Sequence, residues 1–122
     1  MKSDREALRT RGGAEELAGY SRAVRTGRWI SVSGTAPESR GGVHEQTLDA
    51  FRIALAAVEH FGGSVANVAR TRIFLAPGCD WRGAAEAHRE LFGEVTPANT
   101  TLFVAGFIPE GVLVEVELDA VL

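Results

Sequence analysis

The sequence predicts an α+β fold in which one mixed sheet carries two helices on one face. Three observations lead there. Two segments place apolar residues every three or four positions, a C-terminal segment alternates with a strict period of two, and Gly and Pro interrupt the chain between them. The resulting order is strand, strand, helix, strand, helix, strand, strand, two ββα-like halves of a single domain over residues 1–122.

Taking the elements in order, MKSDREALRTRGGAEEL carries charges throughout and no apolar run. Residues 1–18 are therefore expected to be partly irregular, and to be neither a secretory signal nor a membrane anchor. SRAVRT (21–26), Gly27 and WISVSG (29–34) read as a hairpin, because glycine accepts positive φ where strands reverse. TAPESRGGV (35–43) is a loop by composition. From about Glu45 to Phe61, the residues Leu48, Phe51, Leu55, Val58 and Phe61 line one stripe of a helix, which Gly62 and Gly63 end.

VARTRIFLA (68–76) is rich in β-branched and large residues and stops at Pro77-Gly78, so it reads as a strand with Arg70 and Arg72 on one face. Asp80 can cap a second helix whose apolar stripe is Trp81, Ala84, Ala85, His88, Leu91 and Phe92. TTLFVAG (100–106) is a further strand. In VLVEVELDAV (112–121), Val112, Val114, Val116, Leu118 and Ala120 point one way, while Leu113, Glu115, Glu117, Asp119 and Val121 point the other. The second face of the sheet thus mixes acids, arginines and apolar residues. Copies of the chain packed on that face would bury Phe74 and Leu113, and a homo-oligomer is expected on this ground.

Composition narrows the function classes. The 122 residues are 45% hydrophobic and 24% charged, the balance of a globular domain. Thirteen Lys and Arg against sixteen Asp and Glu leave a net charge of −3, and no basic stripe speaks for nucleic acid as a partner. Cys79 stands alone, which excludes an intrachain disulfide and points to a cytoplasmic address. It has no adjacent base to activate it. His44, His60 and His88 lack metal spacing, so no metal site is expected, and surface or helix-edge positions suit them. No phosphate-binding loop is present in the Gly-rich stretches.

GYSRAVRTG (19–27), VSG (32–34), ARTRIFL (69–75), PANTT (97–101) and PEGVLVEVELDAV (109–121) together resemble the YjgF/RidA family, also called endoribonuclease L-PSP-like. The likeness runs from about Gly19 to the C-terminus. It implies a chorismate-mutase-like fold, a homotrimer whose sheets face inward, and small-molecule clefts between subunits; neither a cofactor nor a membrane partner is expected. In the best-understood branch the cleft hydrolyses enamines and imines such as 2-aminoacrylate to 2-oxo acids and ammonia. There an arginine grips the substrate carboxylate, a glutamate of the last strand positions water, and an N-terminal tyrosine closes the pocket. Carried over by resemblance, Glu115 and Tyr20 take the catalytic roles, and Asn99, Thr101, Ser33 and Gly34 the ligand-binding ones; Phe92, at the end of the second helix, is a further ligand-binding candidate.

Three positions depart from that pattern. Asn99 stands where the arginine belongs, Thr101 where a Cys or Ser-like residue is common, and Thr35 where the glutamine of an SGQ turn is usual. A guanidinium forks onto a carboxylate with a permanent charge, whereas Asn offers neutral donors and an acceptor. The exchange costs a carboxylate ligand roughly tenfold or more in affinity, on a scale of about 1.5–3 kcal/mol for a charged hydrogen bond against about 1 for a neutral one. Either Arg70 or Arg72 supplies the missing charge, or the ligand is neutral or cationic and Asn99 and Thr101 read its polar group. Structural roles compete throughout: solvated acids on the last strand, a rim aromatic at Tyr20, a turn-shaping Asn99. The function classes left open are an enamine or imine deaminase-like hydrolase with an altered substrate, a non-catalytic metabolite-binding or regulatory trimer, and an endoribonuclease.

Overall fold

The computed structural model describes residues 4–10 and 12–122. Its elements are β1 (Arg5–Leu8), α1 (Gly13–Ala18), β2 (Ala23–Thr26), β3 (Trp29–Thr35), α2 (Val43–His60), a 3-10 turn (Val65–Asn67), β4 (Val68–Leu75), α3 (Trp81–Phe92), β5 (Ala98–Phe103) and β6 (Val114–Val121). One six-stranded sheet runs β1-β2-β3-β6-β4-β5. Only β4 and β5 pair in parallel, joined by the crossover through α3, and every other neighbour is antiparallel. The α+β prediction of a mixed sheet with helices on one face is the fold found.

The N-terminal segment is more regular than expected. β1 pairs with β2 along its length, Arg5 opposite Thr26 and Leu8 opposite Ala23. An edge strand earns its place through backbone hydrogen bonds to its neighbour, so an exposed strand needs no apolar alternation of its own. α1 ends where Gly19 adopts φ 76°, and Glu15 is buried with its carboxylate accepting from Thr10. Among the described residues no helix is long and apolar enough to cross a membrane.

β6 is the axis of the sheet. Val114, Val116, Leu118 and Ala120 are fully buried beneath the helices, with Ile30 of β3 and Ile73 and Leu75 of β4 beside them. α2 covers them with Ala50, Phe51, Ala54, Ala57 and Val58, while Leu48 and Leu55 of the expected stripe are only half-buried. The alanines explain the rotation: small side chains let a helix backbone approach the sheet closely, and the larger leucines flank the contact. In α3 the Asp80 cap forms as predicted, its carboxylate accepting from Arg82 N at 3.1 Å, but Trp81 and Ala85 lie exposed and Gly83 and Ala87 take the buried positions.

The opposite face of β6 carries Glu115, Glu117 and Asp119. Arg72 bridges Glu117 and Asp119 at 3.4 and 3.3 Å, Ser31 donates to Asp119 at 3.0 Å, and Trp29 Nε1 donates to Ser31. Arg70 donates to Thr100.

A buried glutamine ties the helix layer to the loops. Gln46, wholly enclosed in the first turns of α2, donates to the carbonyls of Gly41 and Gly111 and accepts from Leu113 N, all at 2.8–3.0 Å. Gln46→Leu keeps the volume and leaves one N–H and two carbonyls unpaired, each costing about 1–3 kcal/mol if water cannot reach it. Urea unfolding is expected to read a loss of about 2 kcal/mol or more, whereas a loss below about 0.5 kcal/mol contradicts this role.

Candidate functional site

The predicted site residues fall into two groups on opposite sides of the sheet. The first gathers where the hairpin meets β6. Ser33 Oγ donates to Ser21 O at 2.7 Å and Ser33 N donates to Arg22 O at 3.0 Å, which lays the Tyr20–Arg22 segment against the VSG turn. Pairing of β3 with β6 shifts register between Val32 and Thr35, and this irregularity presents Ser33 and Gly34 beside the start of β6. A Cβ on Gly34 would lie 3.4 Å from Glu115 Oε1, so glycine leaves that carboxylate its room. Tyr20 is partly exposed on this rim.

Arg22 belongs to this group and was missed in the sequence. One of its terminal nitrogens donates to the carbonyls of Ser33 and Gly34 at 2.8 and 2.6 Å, and its buried Nε has no hydrogen-bond partner among the described residues. Burial raises the Glu115 pKa above its usual range, and the Arg22 charge offsets this only in part. A half-buried carboxyl held toward its protonated form beside a fixed cation is a candidate for accepting and returning a proton. The signal for Arg22 lay in GYSRAVR, a segment picked out for its tyrosine, but its contact with Gly34 spans 12 positions of sequence and has no local mark.

The second group lies on the helix-covered face at the β5 edge. Asn99 pairs with Thr71 in the parallel register, and Asn99 Nδ2 donates to Thr71 Oγ1 at 3.0 Å. Thr101 Oγ1 donates to Asn99 Oδ1 at 2.9 Å. Thr71, with no exposed surface, lies 2.7 Å from His88 Nε2 of α3. His88 is a half-buried residue packed against Phe51 and Phe92 rather than a surface histidine, and burial lowers its pKa. Beyond Thr101 opens a groove of about 380 Å³ lined also by Leu75, Trp81, Leu102 and Phe103.

Several expectations are corrected by this geometry. Phe92 is wholly enclosed in the core, edge-to-face with Phe51, and offers no surface to a ligand. Within one chain neither arginine of β4 reaches Asn99: Arg72 is engaged by Glu117 and Asp119, Arg70 by Thr100, and both alternate to the face away from Thr71. Asn99 and Glu115 are separated by β4 and by the thickness of the sheet. Within one chain they cannot touch the same ligand. Thr35, at the glutamine position, is buried and donates to Ser33 O. Cys79 is half-buried, and burial pushes its thiol pKa up, away from a reactive thiolate.

The lowered His88 pKa gives stability a pH dependence. Unfolded histidine takes up a proton below about pH 6.5, before the buried ring does. The contribution is therefore complete above that pH and is lost as pH falls through it. Chemical denaturation at stepped pH is expected to show stability declining from about pH 7 to about pH 5, with a shallower decline in His88→Gln; equal slopes contradict it.

Comparison with known proteins agrees with the fold. The family described as Endoribonuclease L-PSP matches residues 13–122. An uncharacterized protein of Streptomyces coelicolor is 41% identical over 112 residues, covering 87% of this chain and 84% of that protein. A 2-iminobutanoate/2-iminopropanoate deaminase of Dermatophagoides farinae is 27% identical over 110 residues, 84% and 85% of the two chains. The crystal structure of a YjgF-family member from Mycobacterium tuberculosis superposes with a TM-score of 0.91 at 36% identity, over 97% of this chain and 99% of that one. By sequence over nearly its whole length and by backbone, the chain belongs to the Endoribonuclease L-PSP family, the YjgF/RidA group.

Proposed function

We propose that this protein binds a small metabolite in clefts shared by neighbouring copies of a homotrimer, and hydrolyses there an imine or enamine that carries no carboxylate at the Asn99 end. The observation that carries the reading is the Glu115 carboxyl, shifted toward protonation by burial beside Arg22 and the open Gly34 turn. In this scheme the imine enters protonated, and the ionised carboxylate of Glu115 takes one proton from water as the water oxygen bonds to the iminium carbon and the C=N electron pair moves to nitrogen, giving a neutral carbinolamine. Glu115 then gives that proton to the amine nitrogen, the C–N bond breaks as the hydroxyl proton passes back to the Glu115 carboxylate, and a carbonyl compound and ammonia leave; the proton Glu115 now holds is the one the iminium brought in. An enamine enters the same route after protonation at carbon. Tyr20 bounds the cleft, and Ser33 and Gly34 shape it.

The placement of Asn99 and Thr101 on the other side of the sheet supports a cleft built by two chains, since one chain cannot bring them to Glu115. A neutral amide in place of a guanidinium favours a neutral or cationic group at that end of the substrate. Likeness to an imino-acid deaminase, at 27% identity, supports the reaction class and leaves the substrate to these residues. Binding without turnover is the second reading, favoured by the engagement of the Asn99 amide with Thr71 inside the chain.

Ammonia release from a panel of enzymatically generated imines, some with and some without a carboxylate, tests the first reading. Carboxylate-free members are expected to react above buffer, with Glu115→Gln lowering the rate by about 10²–10⁴-fold. No release from any member, together with ligand-induced thermal stabilisation, transfers the case to binding alone. Because the folded state holds the Glu115 proton more tightly than the unfolded chain, Glu115 lowers stability as pH rises past the usual carboxylate range. Glu115→Gln is accordingly expected to melt higher than the wild type at about pH 7.5, and an equal or lower Tm contradicts the burial assigned to this carboxyl. Sedimentation is expected to give three times the chain mass; a single-chain mass at micromolar concentration contradicts the shared cleft.

A further inference from the structure

His88 and Thr71 lie outside the groove at the β5 edge, yet they sit at the inner end of a hydrogen-bonded chain that reaches it. Thr101 donates to Asn99 Oδ1, and Asn99 Nδ2 donates to Thr71 Oγ1. Thr71 is fully buried, and its hydroxyl lies 2.7 Å from His88 Nε2. Because Thr71 Oγ1 accepts from the Asn99 amide, the arrangement that leaves no buried hydroxyl hydrogen unpaired is Thr71 O–H donating to Nε2. The imidazole is then neutral, with its own hydrogen on Nδ1. Packing against Phe51 and Phe92 favours that uncharged ring, in line with the lowered pKa.

Each link fixes the next. With Nε2 accepting, Thr71 must donate inward, which obliges it to accept from Asn99. Asn99 then turns its oxygen to Thr101, and the Thr101 hydrogen is spent on that oxygen. What Thr101 offers to the groove is a lone pair. The reverse arrangement, Nε2–H donating to Thr71, would flip the amide and turn the Thr101 hydrogen outward instead.

We infer that His88 and Thr71 are specificity-determining positioning residues: through Asn99 they set Thr101 as a hydrogen-bond acceptor, selecting ligands that place an N–H or O–H donor beside the apolar wall of Trp81, Leu75 and Phe103. The inference rests on the Proposed function only in taking Asn99 and Thr101 as ligand-facing, and it names the chemistry that group selects. A protonated amine, an imine N–H or a hydroxyl fits; a carboxylate or an ether oxygen does not. Neither His88 nor Thr71 touches the ligand.

The test is binding, independent of turnover, so that a catalytically silent protein still answers it. Benzyl alcohol and benzyl methyl ether share the aromatic body and differ in the donor. Titration of the full-length protein, followed by amide NMR shifts of Thr101 and Phe103, is expected to show the alcohol preferred by about fivefold, the ratio one neutral hydrogen bond supports. Thr101→Val is expected to abolish the preference while leaving the ether affinity within about twofold. Thr71→Val is expected to weaken or reverse it, and Thr71→Ser, which keeps the hydroxyl, to restore it. Ring ¹⁵N shifts of His88 at about pH 7.5 are expected to report an unprotonated Nε2. Equal affinity for the two probes, a preference that survives Thr101→Val, or an Nε2-protonated ring overturns the inference. None of these results bears on whether Glu115 supports hydrolysis.

Discussion

The alternation along β6 is the constraint on which the rest of the molecule depends. Val114, Val116, Leu118 and Ala120 are buried under the helices while Glu115, Glu117 and Asp119 face the other way. A slip of one residue would exchange the two sets, placing three carboxylates in the core, so the register of the central strand is strongly determined. β3 and β4 take their own faces from it: Ile30 and Val32 on one side, Ile73 and Leu75 on the other, are buried with it, and Ser31 and Arg72 meet Asp119 on the far face. One strand thus sorts the sheet into an apolar side and a charged side.

That sorting determines what a site in this fold can be. Glu115 is on the charged side near the hairpin, and Asn99 with Thr101 is on the helix side at the β5 edge. A sheet is a barrier about one side chain thick on each face, and no rotamer carries a group through it. The chemistry divides accordingly. Near Glu115 a fixed guanidinium and a burdened carboxyl provide charge; near Asn99 a chain of neutral hydrogen bonds provides direction. Both titratable groups are pushed by burial toward their uncharged forms, Glu115 upward and His88 downward. Each has a polar neighbour beside it, Arg22 at Glu115 and Thr71 at His88, the setting in which a shifted group is a candidate functional position.

Family membership is shown by sequence and backbone, and the polar groups of the two sides of the sheet are this chain's own. The backbone follows the solved YjgF-family member closely, with a TM-score of 0.91. Asn99, at the β5 edge, is a neutral amide engaged with the neighbouring Thr71. The cation this chain does place near its glutamate, Arg22, enters from the hairpin and spends two donors on backbone carbonyls. That charge lies on the Glu115 side of the sheet, where it partly offsets the burial of the carboxylate.

Periods and punctuation are local properties, and they made much of this fold legible. α2, α3, β4 and β6 follow from apolar spacing within windows of eight to eighteen residues, and the hairpin from Gly27, which does adopt positive φ. Tyr20, Ser33, Gly34 and Glu115 were picked out by segments that the fold then brought near one another. β1 was not legible, because an edge strand is held by its partner's backbone and need leave no pattern in its own side chains. The rotation of α2 onto its alanines and the enclosure of Phe92 were decided by how closely helix and sheet approach. Arg22 with Gly34, Thr71 with His88 and Asn99 with Thr71 are contacts 12, 17 and 28 positions apart. The residue types were written in the chain, but which donors meet which acceptors, and on which side of the sheet, depends on strand order and register. Those arise only when distant segments pack, because no local preference of the backbone encodes the partner of a side chain that lies a dozen or more residues away.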